Sequence, residues 1–269
     1  MVSARDGSAI DAAKQIAGLA LRAAKRREPE INGALYGFRR AMIIARLRML
    51  AAWHGAQVEI DIAPDVRFGR NIDLTVWPGS RNVVRIGPGT TIGHRTMFFL
   101  NNGTLLLGDG IEVRRDVIFM LWGGTLEIAG ENVLSWGSVF HCADSIRIGR
   151  FSIFGEWSTI VDSSHFHSEP DAAVVHNTKT GPVEIGYNTW VCAKAVIGRN
   201  SKIGDHCIVA GNAVVTGEVP SGHVASGTGA AKVRPIALPW QAPEGTAKPT
   251  ARKRRRVQPP EAPPEAPSV

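Results

Sequence analysis

The sequence predicts an all-β chain built as a stack of short strands and corners, with helical segments before it and a tail of different composition after it. Three observations carry this: a six-residue beat of aliphatic residues in the C-terminal half, a slower beat of the same unit before it, and 29 glycines with only 7% aromatics among 269 residues. Frequent glycine with few large rings suits short strands and tight corners.

From Ile185 the aliphatic positions fall at Ile185, Val191, Ile197, Ile203, Val209 and Val215, each six after the last. Four residues after each stands a small or compact side chain: Thr189, Ala195, Ser201, Cys207, Ala213 and Val219. A helix drifts out of phase at six, and a flat amphipathic strand alternates at two. One short strand plus a corner fits the count, because each inward aliphatic residue then stacks on its copy in the next coil. Small side chains at the following inward site leave room where the walls converge. Each coil buries its face only against its neighbours, so several are needed for stability.

The earlier half keeps the unit with a longer beat. Ile86, Leu107, Ile128 and Ile148 are 21, 21 and 20 apart, and each is followed six later by Ile92, Val113, Leu134 or Phe154. That is three hexapeptides plus two or three corner residues per coil. The next marker comes at Ile185, 37 after Ile148, so about 17 residues are inserted within one coil, ending near Pro182. The insert opens with VDSSHFHSEP, residues 161–170, where two histidines and two acids follow neither a helix nor a strand period.

Composition limits the rest. No run approaches the roughly 20 apolar residues of a membrane span, and no apolar signal core stands near Met1, so a soluble cytoplasmic chain is expected. Cys142, Cys192 and Cys207 have no paired spacing and read as small buried residues rather than a disulfide framework or zinc finger. The net charge of +7 is uneven: residues 1–54 hold ten Lys/Arg against four Asp/Glu, and residues 237–269 hold six against three. The expected divisions are a basic helical segment over 1–57, the repeat domain over 58–236 and a Pro-rich basic tail over 237–269, the last expected to be disordered. Within the tail, ARKRRRV could touch nucleic acid or acidic lipid or simply solubilise; no specific nucleic-acid partner is expected. Residues 9–27 and 34–53 read as helices. In the second, Met42, Ile43, Ala45, Met49 and Leu50 alternate with Arg39, Arg40, Arg46 and Arg48, which suits either an anionic membrane inner face or a cap on the open coil stack.

The stretch VEIGYNTWVCAKAVIGRNSKIGDHCIVAGNAVVTGEVPSGHVASGTGAAKVRPI resembles the C-terminal half of the hexapeptide-repeat acyltransferases, in particular the sugar O-acetyltransferases of the galactoside and maltose type and their polysaccharide-modifying relatives. The resemblance covers about 86–236 and is most specific over 148–236. It implies a left-handed parallel β-helix, a homotrimer with active sites between subunits, and transfer of an acetyl group from acetyl-CoA to a sugar hydroxyl without a metal or an acyl-enzyme. It also implies that His165 of DSSHFH is the catalytic base. A hydroxyl is a poor nucleophile, and an imidazole can take its proton as it attacks the thioester. Acceptor contacts are implied at His141, His167 and Asp162; Asp162 could equally orient His165 or cap a turn, and His141, expected to face inward, could be structural. On the acetyl-CoA side the resemblance implies Trp190, Ala193, Gly211, Thr216, Lys232 and Arg234, the two cations suiting the CoA phosphates. Trp190 could instead be a corner residue filling the subunit interface. Gly217 stands where many relatives have a lysine, and Gly229 replaces a usual proline.

Two other classes share the repeat. A γ-type carbonic anhydrase would need three converging imidazoles and an open zinc position; His141, His165, His167, His176 and His206 supply the ligand type without the expected paired spacing. A scaffold without acetyl-CoA binding would be consistent with Gly217 and Gly229.

Overall fold

The structure is a computed structural model that describes residues 36–170 and 173–227. The helix read over 9–27 and the tail over 237–269 lie outside the described residues. Three parallel sheets of eight, eight and seven strands form the walls of a coil that the chain follows in turn. The first coil runs through Gln57–Ile62, Arg67–Phe68 and Asp73–Val76; the seventh runs through Lys202–Ile203, Ile208–Val209 and Val214–Val215, and an eighth begins at Glu218–Val219. The chain is thus a parallel β-helix.

The markers read from the sequence stack in register. On the first face Ile62, Ile86, Leu107, Ile128, Ile148, Ile185, Ile203 and Val219 form one column. On the second face Phe68, Ile92, Val113, Leu134, Phe154, Val191 and Val209 form another. The third face contributes Leu74, Phe98, Phe119, Phe140, Ile160, Ile197 and Val215. All are buried. The expected small residues Thr189, Ala195, Ser201 and Ala213 are buried too, and the hydroxyls have partners: Ser201 donates to the Gly198 carbonyl and Thr189 to the Gly204 carbonyl. Corner backbone that no strand pairs is satisfied in this way. Cys142 and Cys207 are buried as expected, whereas Cys192 is half-exposed at a corner.

Corners turn through the left-handed region at one residue each. Asn71, Asn102, Asn188, Asn200 and Asn212 have positive φ, and asparagine tolerates this because its short amide bonds locally. Phe151 and Trp157 adopt it as well, at φ 62° and 59°.

The helix α1, Tyr36–Trp53, closes the N-terminal end of the stack. Ile43, Leu47 and Ala51 are buried, and Ile43 and Leu47 join the core with Phe68 and Leu74. Among the described residues the first coil has no preceding strands to hydrogen-bond with. Arginines of α1 take their place: Arg39 donates to the Phe68 carbonyl, Arg40 to those of Ile62 and Ala63, and Arg46 to that of Ile72. Of the two roles open to this helix, capping is the one its arginines perform. Its outward side exposes Phe38, Met42, Met49 and Trp53. Among the described residues no helix is long and apolar enough to cross a membrane.

Candidate active site

The insert leaves the wall between Thr159–Val161 and Val183–Ile185, where the six-residue count stops. It opens as a hairpin in which Ser163–His165 pairs antiparallel with Thr178–Thr180. Its base is tied to the wall: Gly181 N donates to the Asp162 carbonyl at 2.9 Å, and Arg199 Nε, on the next coil, donates to Ser164 Oγ at 2.8 Å. A side chain at position 181 would have to displace the Asn200 amide, which packs against the glycine where the returning strand passes the coil. Lys179 Nζ lies 4.3 Å from the Phe166 ring centroid, a cation–π contact across the hairpin.

Asp162 is the hinge of this departure. Along the third face the inward column runs Val76, Leu100, Leu121 and Cys142, and Asp162 is the next member. Its exposure is 0%, and its two oxygens accept from Ala143 N at 2.7 Å and Asp144 N at 2.8 Å. These charge-assisted bonds are stronger than neutral ones. They fix the corner of the preceding coil while the chain after Asp162 turns outward. Of the roles left open for Asp162, the structure shows the cap. Its carboxylate oxygens are directed at backbone rather than at open solvent.

His141 lies on the outward side of Val139–Cys142, with Phe140 and Cys142 turned inward. The expectation that it faces inward is therefore corrected: strand alternation from the buried Phe140 sends it to the surface. Burial lowers its pKa, the Asp162 charge partly opposes that, and His165 adds to the lowering. The surroundings of His141 thus favour the neutral over the charged imidazole. Cys142 beside it is held well above the usual thiol range by burial and then by Asp162, to which it is also hydrogen-bonded, so it stays a thiol.

His165 is exposed on the hairpin, and its Nδ1 lies 3.2 Å from the Asn177 carbonyl oxygen and 3.4 Å from Thr178 Oγ1. A carbonyl only accepts, so Nδ1 is the donor in this contact, and in the neutral tautomer that fits it the lone pair is on Nε2. Asn177 and Thr178 were not legible as partners, because Asn177 stands 12 positions after His165 with no sequence period to link them. His167 is half-buried on the same loop.

Of the residues implied for acetyl-CoA, Trp190, Ala193 and Gly211 fall elsewhere. Ala193 sits at the corner between the second and third faces, packed against Gly155 of the coil before and near Gly211 of the coil after. A Cβ on Gly155 would collide with the Ala193 backbone, so this corner is a bare strip of chain. Trp190 is a strand residue rather than a corner one: it lies on the outside of the second face, half-buried against Val133 and Ile153. Thr216 is exposed just after Val214–Val215, at the corner from which the insert departs two coils earlier. Lys232 and Arg234 lie outside the described residues. Within one chain the structure brings together His141, Asp162 and His165, and places Ala193 and Gly211 on a different corner. Among the described residues no three His, Cys, Asp or Glu side chains are grouped to hold a metal, so the carbonic-anhydrase alternative finds no ligand set there.

The six-residue units and their register define a hexapeptide-repeat β-helix, the fold that the resemblance read from the sequence implies. No family model matches the chain. A Mycobacterium tuberculosis (strain ATCC 25618 / H37Rv) protein described as a probable acetyltransferase is 25% identical over 182 residues, 66% of this chain and 52% of that protein. The chain thus spans about half the length of the curated relative it matches. Similar solved structures include the polySia-specific acetyltransferase NeuO, at 14% identity, 71% of this chain, 84% of that chain and a TM-score of 0.42. Others are a point mutant of AntD, an N-acyltransferase from Bacillus cereus, at 16% identity, 62% of this chain, 81% of that chain and a TM-score of 0.35, and a hexapeptide-repeat acetyltransferase from Vibrio cholerae O1 biovar eltor in complex with acetyl-CoA, at 21%, 78%, 83% and 0.33.

Proposed function

We propose that the protein is an acyltransferase that moves an acetyl group from acetyl-CoA to a hydroxyl of a sugar or glycan, with His165 as general base. The observation that carries this reading is the His165 Nδ1 contact to the Asn177 carbonyl, which presents Nε2 as an acceptor on a loop built out from the wall. Nε2 takes the hydroxyl proton as the oxygen attacks the thioester carbonyl carbon. The tetrahedral intermediate then expels the CoA thiolate, which recovers the proton from the imidazolium. No covalent enzyme intermediate is required. His141, whose surroundings favour the neutral form, sits where it can hydrogen-bond the acceptor, and Asp162 fixes the corner from which both project. His167 stands beside them as a further acceptor contact.

The bare strip at Gly155, Ala193 and Gly211 suits the pantetheine arm, with Trp190, Thr216, Lys232 and Arg234 as its other proposed contacts. His165 and this strip lie on different corners of one coil stack. A cyclic homotrimer would set the histidine corner of one protomer against the bare corner of the next, and we propose that assembly. The relative described as an acetyltransferase supports the reaction class.

The test is release of free CoA thiol from acetyl-CoA across a panel of sugars, glycosides and amines. Wild type should turn over with a saccharide, and His165→Ala should lose about 10²–10⁴-fold in rate while still binding CoA. Undiminished turnover in the variant, or wild type that binds no CoA, would overturn the assignment.

A further inference from the structure

Outside the histidine cluster, the outward side of the third face carries three aromatic rings in mutual contact. Trp77 and Phe99 lie 6.0 Å apart between centroids, Phe99 and Trp122 4.9 Å, and Trp77 and Trp122 5.7 Å. They come from three successive coils, and the two indoles are 47% and 41% exposed. Strand alternation explains their direction: Phe98, Leu100, Phe119 and Leu121 fill the core, so Phe99 and Trp122 point out. An exposed apolar cluster of this kind marks a surface that something covers.

Register connects the cluster to the site. Phe99, Met120, His141 and Val161 are consecutive partners across four coils, and Trp122 pairs with Asn101. Neighbouring strands are about 4.8 Å apart, so Trp122 stands one coil from His141 and the three rings span about 10 Å of wall leading to it. The insert bearing His165 departs at that same edge, just after Val161.

The chemistry of the patch narrows its occupant. The outward strands 73–77, 97–101 and 118–122 contain no Lys or Arg, so they offer nothing to a pyrophosphate. They do carry a polar rim: Asp73 and Thr75 are exposed beside Trp77, and Asn101 accepts from Asn102 at 3.2 Å beside Trp122. Flat apolar rings flanked by amide and carboxylate groups match a sugar ring, which presents a C–H face to stack and hydroxyls at its edge. A lipid chain would leave that rim unused.

We propose that Trp77, Phe99 and Trp122 form an acceptor platform that stacks the distal rings of an uncharged saccharide of two or more units while its reacting ring lies at His141 and His165. The inference rests on the acyltransferase reading for the reacting end only; stacking itself needs no transfer. It names the acceptor as an extended glycan rather than a free monosaccharide or a sugar nucleotide.

The test pairs binding with kinetics. Glucose, galactose and N-acetylglucosamine saccharides of one to four units are titrated by calorimetry against wild type, Trp122→Ala and Trp77→Ala. Transfer kinetics, CoA binding and the mass of the assembly are followed alongside. Wild type should bind a series more tightly as it lengthens from one to three units, and each variant should weaken the longer saccharides about tenfold, as KM for the acceptor but not for acetyl-CoA. Affinity independent of length would overturn the platform. So would variants in which CoA binding falls together with the assembly mass, because the face would then be a contact between copies. Length-dependent binding with undiminished transfer in His165→Ala would instead leave the platform standing and remove the proposed base.

Discussion

The wall before the loop and the wall after it are built from the same unit at different widths. Before it, consecutive first-face markers are 21, 21 and 20 residues apart, third-face strands reach five residues, and the interior holds a phenylalanine stack. Phe98 and Phe119 are 5.3 Å apart, Phe119 and Phe140 5.7 Å, and Phe140 and Phe154 5.4 Å. After it, the markers Ile185, Ile203 and Val219 are 18 and 16 apart, strands shorten to two residues, and the interior is Ile, Val, Ala and Cys. Extra corner residues widen the coil, and only large rings fill it at the density of a folded interior. The histidine loop lies where the two widths meet. A wall that must change width already breaks its count there, and Asp162 takes the column position that an aliphatic residue holds in earlier coils.

The largest effect should come from emptying the wide wall. Phe119→Ala is expected to cost about 4 kcal/mol, since the ring is fully buried between two others, whereas Val209→Ala in the narrow wall should cost about 2 kcal/mol. Urea unfolding of both variants measures this, and equal losses would contradict the distinction between the two walls. Asp162→Asn acts at the junction. An amide can accept with only one oxygen and places its NH2 against a backbone N–H, so about 2 kcal/mol should be lost. Hydrogen exchange should quicken at Ala143 and Asp144 before it does at the coils on either side.

How much of this was readable in advance differs between the walls in the same way. The narrow wall repeats every six residues from Ile185 to Val215, so its columns are visible there, whereas Val219, read as a compact residue four after Val215, continues the first-face column instead. In the wide wall the corner residues blur the count, and only the markers from Ile86 to Ile148 carry it. The first coil lies inside the repeat domain expected from residue 58, but its marker Ile62 stands 24 residues before Ile86, off the beat of 20 or 21, and was not legible. The position of the insert was legible as a break in spacing, but its hairpin was not, because Thr178–Thr180 and Ser163–His165 have no alternation of burial to reveal pairing. The outward direction of His141 follows from a core of neighbouring Phe140 and Cys142, which a count of six does not specify. Capping was one of the two roles open to α1 in the sequence, but which carbonyls its arginines would meet was not legible, since a helical pattern does not show the coil edge beneath it.

The smallest expected effect is a pH slope at the junction. His141 is held below its ordinary pKa, so as pH falls the unfolded chain takes up a proton before the folded one does. Its contribution to stability is intact above about pH 6.5, declines as pH drops below that, and levels off beneath the lowered folded value. His141→Gln should flatten this part of the stability profile, whereas a substitution at the exposed His206 on the narrow wall serves as the comparison.

In the proposed assembly, catalysis joins the histidine corner of one chain to the bare corner of another. The most direct measurement mixes two inactive variants, His165→Ala and Gly211→Trp, under conditions in which subunits exchange, and follows thiol release from acetyl-CoA with a saccharide acceptor. Mixed assemblies should recover part of the wild-type rate, because some interfaces then pair an intact His165 with an intact strip. Exchange shown by mass, with no activity recovered, would contradict the claim and place the whole site within one chain.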